Sequence, residues 1–205
     1  MKKSVKISLI IFLILLTGGL GFYSLYLGLP LNTRAPELEF PIREVDNITG
    51  LSSFGIPDWS GPGTIHNGID LEINDSVTLI SPVKGTVISI SEQENVHSDI
   101  NNVLFSVKIM VNLGWIVDFV IEPMFPGSDV ENNTLQREAI SVSLFQKVDV
   151  GDEIGTLLYN EGEYSHLHYM INNGFDVVCP YDYSSPEAQE LFDLLAERGG
   201  EPPCV

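Results

Sequence analysis

From about residue 77 onward, short β-branched and aromatic runs alternate with turn signals. "SVTLISPVKGTVISI" reads as two strands broken near Pro82 to Gly85. "NVLFSVKIMV" and "WIVDFVI" read as a hairpin about Asn112-Leu113-Gly114. "ISVSLFQKV" and "EIGTLLY" are further strands around Val150-Gly151-Asp152, and "HLHYMI" is a strand ending at Asn172-Asn173-Gly174. The stretch from Glu122 to Ala139 is polar and turn-rich and predicts a long loop. Helical spacing appears late. Ser184 or Ser185 can cap a helix, Pro186 suits its first turn, Leu191, Leu194 and Leu195 form a stripe, and Gly199 can end it. The pattern predicts a mainly β, antiparallel domain over residues 50–182, with a C-terminal helix and tail over 183–205 that pack on the sheet.

The N-terminus has a different pattern. Lys2, Lys3 and Lys6 precede an apolar run from Ile7 to Leu29. As a helix of about 23 residues it would be roughly 35 Å long at 1.5 Å per residue, enough to cross a bilayer core of about 30 Å. The lysines would stay cytoplasmic, leaving the rest outside. No A-x-A cleavage site is evident, so residues 1–29 are expected to be an uncleaved single-pass anchor. The alternative is a cleaved signal and a secreted domain. Pro30, Pro36 and Pro41 punctuate a segment, 30–49, that reads as a stalk.

Charge excludes one class of partner. The 205 residues carry 28 acidic against 10 basic side chains, a formal net charge of -18. Such a surface repels nucleic acid. Cys179 and Cys204 can form one disulfide tying the tail to the domain in an oxidising compartment, or remain two thiols.

The four histidines are His66, His97, His166 and His168. On a strand, residues two apart point to one face, with Cα atoms roughly 6.6 Å apart. His166 and His168 therefore share a face, and Leu167 and Tyr169 take the other. The fragment "GTIHNGIDLEI" reads either as an Asn-Gly hairpin or as a bend at Gly68 that lets His66 and Asp70 converge. Together the two fragments supply three imidazoles and a carboxylate, ligand types that suit zinc.

Three ordered blocks carry a resemblance. "HNGIDLEINDSVTLISPVKGTVISI", "VDVGDEIGTLL" and "SHLHYMI" are similar to the lysostaphin/LytM-type zinc metallopeptidases, which cleave peptide bonds in bacterial peptidoglycan. The resemblance covers about Gly50 to Pro180. It implies the barrel-sandwich-like β core of that peptidase type, zinc held by His66, Asp70 and His168, and His166 as general base or hydrogen-bond partner. It also implies a peptide or peptidoglycan substrate. "SPVKGTV" and "VDVGDEIG" also resemble biotinyl or lipoyl carrier domains, for which Lys84 would be the modified residue. The chain departs from the peptidase pattern in "WIVDFVIEP", where Ile121 lies near the position of a further catalytic histidine. Asp118, Glu122 or His97 would have to substitute. A domain that keeps its metal without cleaving, binding cell wall or activating a partner hydrolase, is the alternative function.

Overall fold

The computed structural model describes residues 33–58, 63–95, 98, 100–199 and 201–205. Ten strands and two helices lie in this part of the chain. The strands are β1 (Ile48–Ser52), β2 (Ile69–Ile73), β3 (Val77–Ile80), β4 (Gly85–Glu94), β5 (Val103–Asn112), β6 (Trp115–Glu122), β7 (Lys147–Val148), β8 (Glu153–Leu157), β9 (His166–Asn173) and β10 (Asp176–Val178). The helices are α1 (Val130–Glu138) and α2 (Pro186–Gly199). The fold is mainly β and antiparallel with a C-terminal helix. One sheet runs β1-β2-β9-β6-β5-β4-β7, with β10 also paired to β9, and β3 and β8 form a separate ribbon.

Strand alternation sorts side chains onto two faces. Ile69, Leu71 and Ile73 of β2 are buried, as are Val117, Phe119 and Ile121 of β6 and Leu167, Tyr169 and Ile171 of β9. The intervening residues are therefore Asp70 and Glu72, Asp118, Val120 and Glu122, and His166, His168 and Met170, which stand on the opposite face. Helix α2 closes one side of the core. Ser185 Oγ accepts from the Ala188 amide as its cap. Ala188, Phe192 and Leu195 are its buried stripe, and Phe192 packs 4.9 Å from the ring of Phe40. Leu194, expected in that stripe, is 40 % exposed.

Several expectations change. Leu38, Phe40 and Ile42, within the expected stalk, are buried in the core. Their backbone is tied down as well, with the Leu38 amide donating to the Tyr183 carbonyl and Ile80 to Pro41. Prolines in this segment mark an extended strap laid on the domain. The expected loop from Glu122 to Ala139 contains α1. The helix lacks an apolar stripe and is held by polar groups: Asp129 caps it through the Asn132 amide, and Gln136 donates to the Thr156 carbonyl and accepts from the Leu158 amide. Most of "ISVSLFQKV" is irregular, with a turn at Leu144 and Phe145, the latter at a φ of 68°; Ile140 bridges Gly155, and Lys147–Val148 pairs with the sheet.

The anchor expected over residues 7–29 lies outside the described residues. Among the described residues no helix is long and apolar enough to cross a membrane. The single-pass localisation, with a cytoplasmic N-terminus and an extracytoplasmic domain, is corrected on that finding and is not carried forward.

Cys179 and Cys204 are bonded, with Cα atoms 6.2 Å apart and 25 positions apart in sequence. The tail they hold runs beside the residues after β1: the Phe54 amide donates to the Pro203 carbonyl and the Val205 amide to the Phe54 carbonyl. Closing a loop of that size constrains the unfolded chain by about 3–4 kcal/mol. Reduction, or a Cys179→Ser/Cys204→Ser double substitution, is expected to lower the unfolding free energy by about that amount, measured by urea denaturation with and without reductant.

Candidate metal centre

β9 lies between β2 and β6, and its register builds the site. His168 is opposite Asp70 on one side and Val120 on the other. His166 is opposite Glu72 and Glu122. The bend at Asn67–Gly68 brings His66 back over the start of β2. His66 Nε2 lies 3.1 Å from Asp70 Oδ1 and 3.1 Å from His168 Nδ1, and His168 Nδ1 lies 2.6 Å from Asp70 Oδ1. The hairpin alternative for "GTIHNGIDLEI" therefore gives way to the convergent one.

The outer nitrogens decide what these atoms can bind. His66 Nδ1–H donates to the Ser53 carbonyl at 2.7 Å, which leaves the Nε2 lone pair of the neutral ring facing Asp70. His168 Nε2 meets Asn67 Oδ1 at 3.1 Å, and with Nε2 as donor its Nδ1 lone pair also faces Asp70. Two imidazole lone pairs and a carboxylate oxygen thus converge on one point. That arrangement is repulsive unless extra protons or a cation lie between them. Burial alone would raise the Asp70 pKa, but hydrogen bonds to His168 and His66 hold it well below the usual carboxylate range. Burial opposes charge on His66, yet Asp70 and the Ser53 carbonyl raise its pKa.

The donor set fits zinc. Three atoms each about 2.0–2.2 Å from a zinc ion lie roughly 3.3–3.6 Å apart at tetrahedral angles, so edges of 2.6–3.1 Å would open by roughly 0.2–1 Å around the ion. His66, Asp70 and His168 form the group of three that can hold a metal, and His166 stands outside it. Three protein ligands leave a position open, as in catalytic zinc sites.

His166 donates Nδ1–H to the Tyr164 carbonyl at 2.8 Å, and the Tyr164 ring packs 4.7 Å from its own. Its Nε2 faces Glu122 Oε1 at 3.6 Å and Asp70 Oδ2 at 3.9 Å. Burial disfavours charge on this ring, but Glu122 and Asp70 outweigh it and push the pKa up to about 9. A cation among the three ligands would cancel much of the Asp70 share and leave Glu122. A pocket of about 420 Å³ opens beside the site, walled by Ser52, Ile56, Pro57, Asp58 and Tyr164 with His66 and Asp70.

The replacements considered for the absent histidine fall differently. Ile121 is fully buried and faces the core. Asp118 is bound by Lys108 at 2.9 Å and by Ser106 at 2.8 Å. His97 lies outside the described residues. Glu122 is the residue of β6 that reaches His166. Lys84, the carrier-type lysine, is paired with Asp149 at 2.7 Å. Sequence spacing did not reveal Ser53 or Asn67 as partners of the ligand histidines, since neither lies in a metal-binding pattern.

No protein-family model matches the chain, and no curated protein matches it. The solved structures it is similar to include Csd3 from Helicobacter pylori, at 16% identity over 80% of this chain and 38% of that one, with a TM-score of 0.48. A zinc-containing peptidase from Vibrio cholerae shares 18% identity over 71% of this chain and 39% of that one, TM-score 0.46. The catalytic domain of the antimicrobial peptidase lysostaphin from Staphylococcus simulans shares 13% over 64% and 86%, TM-score 0.41. The chain spans about two fifths of the length of the first two.

Gly68 has a role beyond bending the chain. A Cβ there would sit 2.7 Å from both Cε1 and Nε2 of His168 and 3.0 Å from Met170 Cγ. Gly68→Ala is expected to push the His168 ring off its position and weaken zinc binding by tenfold or more, on the scale of lost ligand-orienting contacts. Far-UV circular dichroism should be unchanged, and competition against a zinc chelator measures the loss.

Proposed function

We propose that the protein is a zinc-dependent peptide hydrolase whose substrate is a short peptide link of the kind found in cell-wall peptidoglycan. The observation that carries this reading is the convergence of His66, Asp70 and His168, with His166 held outside that group and its Nε2 3.9 Å from Asp70 Oδ2. A structural zinc would be enclosed by four protein ligands, whereas here the fourth imidazole faces the space beside the triad.

Zinc held by His66, Asp70 and His168 would supply Lewis acidity, polarising the scissile carbonyl and favouring deprotonation of water. The protein groups do the rest. Ser53 and Asn67 fix the ring orientations of the two ligand histidines. The Tyr164 carbonyl fixes His166 with Nε2 toward the reacting atoms, where it can hold or deliver a proton. The side chains of His66, Asp70, His166 and His168 are between 9 % and 13 % exposed, and the pocket borders His66 and Asp70. In such a place each hydrogen bond to developing charge is strengthened. The pocket is large enough for a few residues of an extended peptide.

The second reading keeps the metal without turnover, the domain binding cell wall or activating a partner hydrolase. It is favoured by one observation: no histidine stands on β6 beside His166.

The full chain, purified and loaded with zinc, separates the two. Stoichiometric zinc by metal analysis, lost in His168→Ala, is expected for both. Cleavage of peptide or peptidoglycan fragments is expected for the first, and His166→Ala should lower its rate by about 10²–10⁴-fold while zinc is retained. A chain that binds no zinc would overturn both readings. Zinc binding without cleavage would leave the second.

A further inference from the structure

Glu122 is an unusual carboxylate. Its side chain is 12 % exposed, at the end of β6 on the face opposite the core. Among the described residues no hydrogen bond or ion pair reaches it except the contact with His166, and that contact is 3.6 Å long. At 3.6 Å the atoms are too far apart for a good direct hydrogen bond, and the gap suits a third group that touches both. A nearly buried carboxylate with so little compensation is expensive to keep. Structural carboxylates in this protein are treated otherwise. Asp118, four residues earlier on the same face, is closed off by Lys108 and Ser106.

Position adds a second argument. The register that sets His168 against Asp70 also sets His166 against Glu122. The carboxylate and imidazole Nε2 therefore face one space, and Asp70 Oδ2 borders it 3.9 Å from Nε2. Glu122 is not a member of the metal-binding group.

We infer that Glu122 is a catalytic residue, the proton acceptor that works opposite His166 in peptide-bond hydrolysis. The inference rests on the reading given under Proposed function. In the reaction a C–O bond forms between water and the scissile carbonyl carbon, and the C–N bond breaks. Water gives up one proton, and the departing amine nitrogen gains one. Glu122 takes the proton that leaves water, and His166 Nε2–H gives one to the amine. Transfer of the proton from Glu122 to Nε2 across the 3.6 Å gap, through one water, restores both groups. The Nδ1–H bond from His166 to the Tyr164 carbonyl keeps the exchange on Nε2 throughout.

The test compares the full zinc-loaded chain with Glu122→Gln, which keeps the shape and removes the basicity, and with Glu122→Asp, which keeps the charge and withdraws it by one methylene. Glu122→Gln is expected to lower kcat by about 100-fold or more. Glu122→Asp, which keeps a carboxylate, should retain part of that rate. Zinc affinity should stay within about twofold in both. A parallel fall in zinc affinity would overturn the inference by making Glu122 a metal ligand, and an unchanged kcat would overturn it directly. A peptide hydroxamate gives a reading that needs no turnover. Its hydroxyl would donate to Glu122, so its Kd should rise by roughly tenfold or more in Glu122→Gln. Equal hydroxamate affinity in the two proteins overturns the role of Glu122 whether or not the chain cleaves. Glu122-dependent hydroxamate binding to a chain that cleaves nothing would overturn the catalytic role together with the hydrolase reading and leave Glu122 as a ligand-binding group of the site.

Discussion

The register of β9 against β2 and β6 is the constraint on which the site depends. Asp70, His168 and Val120 form one row across three strands, and Glu72, His166 and Glu122 form the next. Those rows share a face because the alternate residues, Leu71, Phe119, Ile121, Leu167 and Tyr169, are drawn into the core. Slipping one strand by a single position would bury a charged group and expose an apolar one, so hydrophobic burial enforces the geometry of the polar face. The chemistry is thus held in place by residues that never touch it.

The same alternation explains what the sequence made legible. The face shared by His166 and His168 followed from the period of a strand, and the pairing of the two motifs followed from their ligand types. The motif comparison set Ile121 at the place of a missing histidine, one residue from Glu122. On a strand that single step reverses the face, and Ile121 turns out to be core. Glu122 is one of three candidate substitutes, with Asp118 and His97, and the paired register shows it opposite His166. Other parts were hidden for different reasons. Helix α1 carries no apolar stripe and depends on Asp129 and Gln136 bonds that propensity does not reveal. The strap holding Leu38, Phe40 and Ile42 resembled a stalk because its prolines suit an extended chain, whether packed or free. Ser53 and Asn67 act through a carbonyl and a turn side chain, neither of which leaves a spacing signal.

Stability and site are joined at Ser53. Its carbonyl holds His66 Nδ1–H, and its hydroxyl donates to the Pro202 carbonyl of the tail. That tail is secured by the Cys179–Cys204 bond and by backbone bonds at Phe54. The C-terminal residues therefore contact the segment that holds the His66 ring, a candidate metal ligand, although they lie far from it in sequence. The disulfide restricts the unfolded chain and holds the tail that Ser53 contacts.

The electrostatic balance of the site connects these features. Five titratable side chains, His66, Asp70, Glu122, His166 and His168, are each between 9 % and 13 % exposed. Such a cluster opposes folding unless positive charge offsets its two carboxylates. The carboxylates raise the pKa of His66 and of His166, which favours positive charge on those two rings. A divalent cation at His66, Asp70 and His168 would take over the compensation of Asp70. Glu122 lies outside that group and would still have His166 as its partner. Metal and proton would then occupy separate halves of one charged cluster, with Asp70 at the boundary: Oδ1 faces the ligand histidines, and Oδ2 faces His166. Such a division would let the site hold a cation while one imidazole–carboxylate pair exchanged a proton.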